Sequence, residues 1–392
     1  MGTMFSSFFL AGFECSTHRR ADGSRLDLLA SSQHDIHADK DYRRLRALGI
    51  AAARDGVRWH RIEVSPHHYD WSSAEPMVEA ARQAGMQVVW DLCHYGWPDD
   101  IDIWSPEFVE RFAAFAAAAA RHIARGSSTP LWFCPVNEIS YWAWAGAEVG
   151  LINPATHGRG AELKRQLVRA AVAAMKAIGA EHPDARFVFA EPLIHVDGGA
   201  GSLEERAAAE AYRLSQFEVF DMLSGRMAPE LGGCPSLLDV VGVNFYPDNQ
   251  WYLHGSTIPL GHHAYRPLRL MLREVHERYG RPVAILETGA EGTARAAWLH
   301  YVVGEVAAAI EDGVPLAGVC LYPILDYAGW QNGRLCPVGL LSIADERGER
   351  VLDRAFAEEL ASQQRRIERL LGEAGRGGPA AQLIPAAAAP QQ

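Results

Sequence analysis

Two glutamates stand at the ends of apolar runs, where a carboxyl group is costly to hold. Glu138 follows Leu131-Trp-Phe-Cys-Pro-Val-Asn, and Glu287 follows Pro282-Val-Ala-Ile-Leu. Each is therefore set at the edge of a core rather than on an open surface. Taken singly, either one reads equally well as a strand-end charge in solvent or in a local salt bridge. Taken together, they can flank one bond. Cleavage of a glycosidic bond needs such a pair: one carboxyl stays protonated near neutral pH and donates to the leaving oxygen, and the other is ionised to attack or to activate water. Asn137, beside Glu138, can hold a sugar 2-hydroxyl. Arg58 can keep Glu287 ionised by charge pairing.

The elements that must position these groups are legible as a repeat. Short apolar runs begin at Phe8, Ala53, Gln87, Leu131, Arg186, Asp239, Pro282 and Leu316. Each is rich in Val, Ile or aromatic residues and apolar at nearly every position, as a parallel strand buried on both faces must be. Most intervals carry a helical period closed by glycine: Asp39 to Leu48 before Gly49, Ala74 to Ala84 before Gly85, Glu162 to Ile178 before Gly179, Pro267 to Tyr279 before Gly280, and Thr293 to Asp312 before Gly313. Ser105-Pro-Glu opens a further helix that runs to about Arg125. Eight strand-helix units predict an α/β fold, a single (β/α)8 TIM barrel. An open doubly wound sheet is the rival, and no G-x-G-x-x-G follows the first run to support it.

Chemistry in such a barrel sits at the C-terminal ends of the strands. The runs end at Arg58-Trp59-His60, at Asp91 with His94 and Tyr95, at Asn137-Glu138, at Glu191, at Asn244-Phe245-Tyr246, at Glu287, and at Tyr322 with Asp326 and Trp330 beyond. Glu138 and Glu287 then lie on the fourth and seventh strands, across one mouth. Glu14 and Glu191 read as barrel or supporting residues, and Glu291, past the Gly289 turn, as a lesser rival of Glu287.

Composition bounds the rest. The 392 residues hold 37 Lys plus Arg against 48 Asp plus Glu, a net charge of -11, which argues against a nucleic-acid partner. No apolar run reaches the ~18 residues of a membrane span. The barrel is expected over residues 1–371. Residues 372–392, nearly uncharged Gly, Ala, Pro and Gln, are expected to form a disordered tail. The opening MGTMFSSFFLAGFECS lacks the basic start and cleavage site of a signal peptide, so the expected location is cytoplasmic. The six cysteines include no C-x-x-C pair and read as small buried hydrophobes. The sixteen histidines contain no H-E-x-x-H, and no metal site is expected. The sequence leaves the oligomeric state open.

The runs also carry a family likeness. The chain resembles the retaining β-glycosidases of glycoside hydrolase clan A, and family 1, the β-glucosidase-like family, within it. Asn137-Glu138 resembles the Asn-Glu of that family's acid/base strand, and Leu286-Glu287-Thr288-Gly289 the Thr-Glu-Asn-Gly of its nucleophile strand. Val57-Arg58-Trp59 is similar to its Tyr-Arg-Phe, and Cys93-His94-Tyr95 with Pro98 to its Tyr-His-Trp-Asp-x-Pro. Asp239 to Tyr246 resembles Asp-Phe-Ile-Gly-x-Asn-Tyr-Tyr, and Ile324 to Trp330 resembles Leu-Leu-Asp-Asn-Phe-Glu-Trp. The resemblance implies Glu138 as general acid/base and Glu287 as nucleophile, with Arg58 and Tyr246 orienting Glu287. It implies that His94 and Asn137 bind the glycone, with Asn244, Tyr322 and Trp330 completing the pocket. It implies a carbohydrate substrate, a retaining double displacement and no cofactor.

The departures fall in the sugar pocket. The family's glycone-binding Glu before the last Trp is Gly329 here, its first-strand Gln falls at Arg19, and its strand-three Trp is Tyr95. Arg19 and Arg20 face either an anionic glycone or solvent. Trp142 and Trp144 form either a platform for the leaving sugar or packing under a loop. A transglycosidase with a sugar acceptor, and a non-catalytic carbohydrate-binding barrel, are the alternatives to a hydrolase.

Overall fold

All eight apolar runs form strands. The structure, a computed structural model of the chain, describes residues 4–126 and 130–377. The strands are β1 (Phe9–Gly12), β2 (Ala52–Gly56), β3 (Gln87–Asp91), β4 (Trp132–Cys134), β5 (Arg186–Pro192), β6 (Val240–Asn244), β7 (Val283–Thr288) and β8 (Leu316–Leu321). Each pairs in parallel with its sequence neighbours, and β8 pairs with β1, so the sheet closes into a (β/α)8 barrel.

Side chains alternate across each strand. One set faces the barrel axis and packs an inner cluster that includes Leu10, Ala52, Val89, Trp132, Cys134, Val188, Ala190, Val240, Ala284, Leu286 and Cys320. The other set packs under the helices in a larger cluster, which holds Phe9, Ala53, Val88, Phe133, Phe189, Val241 and Ile285. Both faces are apolar because both are buried, which is why the runs show no polar alternation.

The longer helices are α1 (His34–Ala47), α2 (Glu75–Ala84), α3 (Pro106–Ala124), α4 (Gly160–Glu181), α5 (Leu203–Leu214), α6 (Leu268–Tyr279), α7 (Ala294–Glu311) and α8 (Arg354–Gly377). Gly85 and Gly280 end α2 and α6 in the left-handed region, with φ of 61° and 63°, a conformation that carries no Cβ penalty in glycine. Two of these longer helices had no expectation attached. α5 opens on a capping box, in which the Ser202 hydroxyl accepts from the Glu205 backbone and the Glu205 carboxylate accepts from the Ser202 backbone. α8 packs on α7 and runs to Gly377, into the segment expected to be tail, and residues 378–392 lie outside the described part. No described helix is long and apolar enough to cross a membrane.

Candidate active site

The mouth of the barrel is built around Arg54, which the sequence reading missed. Ala52 faces the axis, so alternation turns Arg54 inward two residues on. Its guanidinium donates to Asp91 through Nε (3.0 Å) and Nη2 (2.8 Å), to Glu287 Oε1 through Nη1 (2.7 Å), and to Asn137 Oδ1 through Nη2 (2.5 Å). It lies 5.4 Å from the ring centre of Tyr322. Arg58, the expected partner of Glu287, is elsewhere. β2 ends at Gly56, and Arg58 caps the turn into the helix at Trp59, where it donates to Asp27 (3.0 Å), Asp35 (2.7 Å) and the Ser73 carbonyl (3.0 Å). The expected charge pairing exists, but its arginine sits four residues earlier, inside the strand.

Glu287 reaches the mouth by a break in the alternation. Ala284 and Leu286 face the axis, so Glu287 would turn outward, but the register of β7 against β6 shifts between Ile285 and Glu287. Irregularities of this kind re-aim side chains at barrel rims. Thr288 takes the outward place, donating to the Phe245 carbonyl (2.7 Å) and accepting from Trp298 Nε1 (2.9 Å). Tyr246 donates to Glu287 Oε2 at 2.9 Å, as the sequence reading expected. Arg54 thus donates to one Glu287 oxygen and a phenol to the other.

Glu138 is dressed differently. It accepts from Asn244 Nδ2 (2.8 Å) and from the Tyr95 hydroxyl (2.8 Å), and among the described residues no cation pairs with it. Burial, then the charge of Glu287, push its carboxyl up to about 8, against the two hydrogen bonds that pull it down. Its backbone is left-handed, with φ of 40°, as is that of Tyr95, with φ of 67°. Such conformations cost on the order of 1–3 kcal/mol for a non-glycine residue and persist only where the surroundings hold them. The Glu138 N–H donates to the Ala190 carbonyl at 2.9 Å, and the next residues pass through a short helix into a π-helical stretch, Ala143–Glu148. Glu191 fastens this segment by accepting from the Ser140 N–H at 3.1 Å, and burial lifts its own carboxyl to about 7.

Asn137 and His94 join the supporting network. Asn137 Nδ2 donates to the Tyr95 hydroxyl (2.9 Å) and to His94 Nε2 (2.9 Å), and His94 Nδ1 meets Asp91 at 3.1 Å. Both amide protons and both ring nitrogens are thereby engaged by protein. Cys15, Asp91 and His94 lie close enough to present three ligand atoms to a metal ion. Asp91, however, already grips the Arg54 cation with both oxygens, and burial raises the Cys15 thiol well above its ordinary range, so the trio reads as a hydrogen-bond network.

The remaining expectations sort by place. Tyr322 and Trp330 stand at the mouth: Tyr322 stacks parallel to His94, and Trp330 meets His18, Tyr95 and Tyr141 at 4.6, 5.8 and 6.2 Å between ring centres. Trp142 is fully buried and donates to the Asn153 carbonyl, so it packs. Trp144 is exposed and lines a groove of about 930 Å³ with Tyr141, Ile194, Tyr212, Met227 and Trp251. Arg19 pairs with Asp99, and Arg20 donates to the Trp330 carbonyl at 2.5 Å. Glu291 is turned out to Arg334.

No family profile and no curated protein matches the sequence. Solved structures match in shape. The AHE enzyme from Alicyclobacillus herbarius superposes with a TM-score of 0.75 at 18% identity, over 92% of this chain and 99% of that one. The family 1 β-glucosidase from Thermotoga maritima gives 0.71 at 15% identity, over 91% and 98%. A β-glucosidase of the same organism in complex with glucoimidazole gives 0.75 at 16%, over 92% and 99%. What is shared at these identities is architecture: this chain has the (β/α)8 fold of the family 1 β-glucosidases.

Proposed function

We propose that the chain is a retaining exo-β-glycosidase, with Glu138 as general acid/base and Glu287 as nucleophile. The observation that carries this reading is the opposite dressing of two carboxylates in one mouth. Glu287 accepts from a guanidinium and a phenol, whereas Glu138 is desolvated and held up to about 8. One carboxyl held up near the working pH, beside a second that accepts from a cation and a phenol, suits acid and nucleophile roles in one site. Glu287 attacks the anomeric carbon while Glu138 gives its proton to the leaving oxygen. Glu138 then takes a proton from water, which displaces Glu287, so the anomeric configuration is kept. The reaction draws on carboxyl groups alone and needs no cofactor.

The groove beside Tyr141 and Trp144 supports a bulky leaving part on the acid side of the bond. It would equally seat a sugar acceptor, and transfer in place of hydrolysis uses the same two glutamates. The six cysteines, all free thiols, fit action in the reducing cytoplasm.

The test is Glu287→Gly assayed on a panel of aryl β-glycosides. Turnover is expected to vanish, and azide or formate, entering the vacated space, is expected to restore part of it with inverted product. Unchanged activity in this variant would sink the assignment.

A further inference from the structure

Glu14 also reaches the mouth, and nothing in the proposed reaction uses it. Leu10 belongs to the inner cluster, and a Cβ on Gly12 would lie 2.2 Å from Cδ2 of Tyr322 and 2.9 Å from Sγ of Cys320, both of that cluster. Glu14 is the next inward position along the same chain direction. The residue is only 8% exposed. Its Oε1 accepts from the Ser16 N–H at 3.0 Å and from the Ser16 hydroxyl, and lies 3.9 Å from His94 Nε2. Its Oε2 has no hydrogen-bond partner among the described residues. Burial, and in smaller part the charge of Glu287, raise the Glu14 carboxyl against His94 and the Ser16 bonds, and Glu14 in turn is felt at Tyr141, Tyr246 and Tyr322.

A second observation points the same way. Asn244 Oδ1, Tyr322 Oη, His18 Nδ1 and Trp330 Nε1 are buried without a partner among the described residues. Buried polar atoms are normally satisfied, so unsatisfied ones at one barrel mouth mark a place where a hydroxyl-bearing ligand completes the bonding. Of the cations nearby, Arg54 is paired with Asp91 and Glu287 and Arg19 with Asp99, whereas Arg20 donates its Nε–H to the uncharged Trp330 carbonyl.

We infer that Glu14 is a specificity-determining residue, whose free Oε2 accepts hydrogen bonds from hydroxyls of an uncharged glycone and whose charge disfavours uronic and phosphorylated glycones. The inference rests on the glycosidase reading for the place of the sugar. It differs from that reading in depending on binding alone.

The test is therefore calorimetric. Glu287→Gln, alone and combined with Glu14→Ala or Glu14→Gln, is titrated with aryl β-glycosides of neutral sugars, their monodeoxy analogues and a uronide. Glu14→Ala is expected to weaken the preferred neutral glycoside tenfold or more. One monodeoxy analogue should lose affinity without Glu14→Ala and lose nothing further with it. Glu14→Gln, which keeps the shape, should reduce the discrimination against the uronide about tenfold, and it carries the test should Glu14→Ala fail to fold. Equal affinity with and without Glu14, or a preference for the uronide that Glu14→Gln leaves unchanged, would each overturn the inference. Binding that depends on Glu14, in a chain whose intact form cleaves no glycoside, would remove the hydrolase reading and leave this one standing.

Discussion

Strand β2 carries two adjacent charges that face opposite ways, and the clusters they join differ in one respect. Arg54, facing in, binds Asp91, Asn137 and Glu287. Asp55, facing out, accepts from the Tyr42 hydroxyl (2.5 Å), from His34 Nε2 (2.9 Å) and from the Gly56 N–H (2.8 Å). His34 Nδ1 in turn meets Asp41 at 2.8 Å, and Arg350 donates to both Asp41 oxygens at 2.6 and 2.9 Å. The His34 ring also stacks on Phe13 at 3.6 Å. Each polar side-chain atom of the outer cluster that is fully buried has a partner, and the cluster ties α1 to the barrel and to the segment before α8. The inner cluster stops at a carboxylate with no cation, Glu138, and at unpartnered atoms on Asn244 and Tyr322. A closed network of buried charge fixes structure, and an open one is poised for something that is absent from it.

That contrast can be broken by substitution. The largest effect is expected from Arg54→Met, which leaves Asp91 and Glu287 buried without their cation. Turnover should be lost and stability should fall by about 3–5 kcal/mol, read by glycoside kinetics beside a denaturant melt. His34→Leu removes two bonds to carboxylates and should cost about 2–3 kcal/mol while the folded enzyme keeps its turnover. Lost turnover in a fully folded His34→Leu protein would show that the two faces of β2 are not separate. Arg58→Met should cost least, about 1–2 kcal/mol, again with turnover kept, because its partners are Asp27 and Asp35. A collapse of turnover there would restore Arg58 to the role that the sequence suggested.

One pH series sharpens the same comparison. The two facing aspartates outweigh burial and hold His34 up to about 9, against an ordinary value of 6.5. A raised histidine contributes stability that is full below 6.5 and is lost as pH rises through about 9. Glu138, lifted by burial and by Glu287 to about 8, donates its proton below that pH, so turnover of substrates with poor leaving groups should fall above it. The two ranges overlap, so variants separate them: the Glu138→Ala protein should lose the alkaline limb of the rate and keep the pH profile of the melt, and His34→Leu should do the reverse.

Much of this was legible in the sequence. Eight runs of buried residues gave eight strands, because two-sided burial writes itself as continuous hydrophobicity. Glu138, Glu287, Tyr246 and Asn244 were found because they follow such runs. Arg54 was missed, and Glu14 was read only as a barrel or supporting residue, for the converse reason. They sit inside or just past a strand, two residues beyond an inward apolar neighbour, and the rule of looking where a run ends passes over them. The signal was available as alternation from Ala52 to Arg54 and from Leu10 to Glu14. The facing of Glu287 was not available, since a register shift in β7 sets it against the alternation that Ala284 and Leu286 establish. Tyr95 was noticed only as a departure from the family's tryptophan. Its left-handed backbone and its bond to Glu138 are products of the tertiary fold.

The central claim is that Glu287 is the nucleophile at the open end of the inner cluster. Incubation with 2-deoxy-2-fluoro glycosides bearing an activated leaving group, over a broad set of glycones, followed by proteolysis and peptide mass mapping, tests it most directly. The account predicts one covalent label, on Glu287, with loss of activity in step with labelling. A label on Glu138, Glu14 or Glu191, or no label from any glycone that the chain binds, would contradict it.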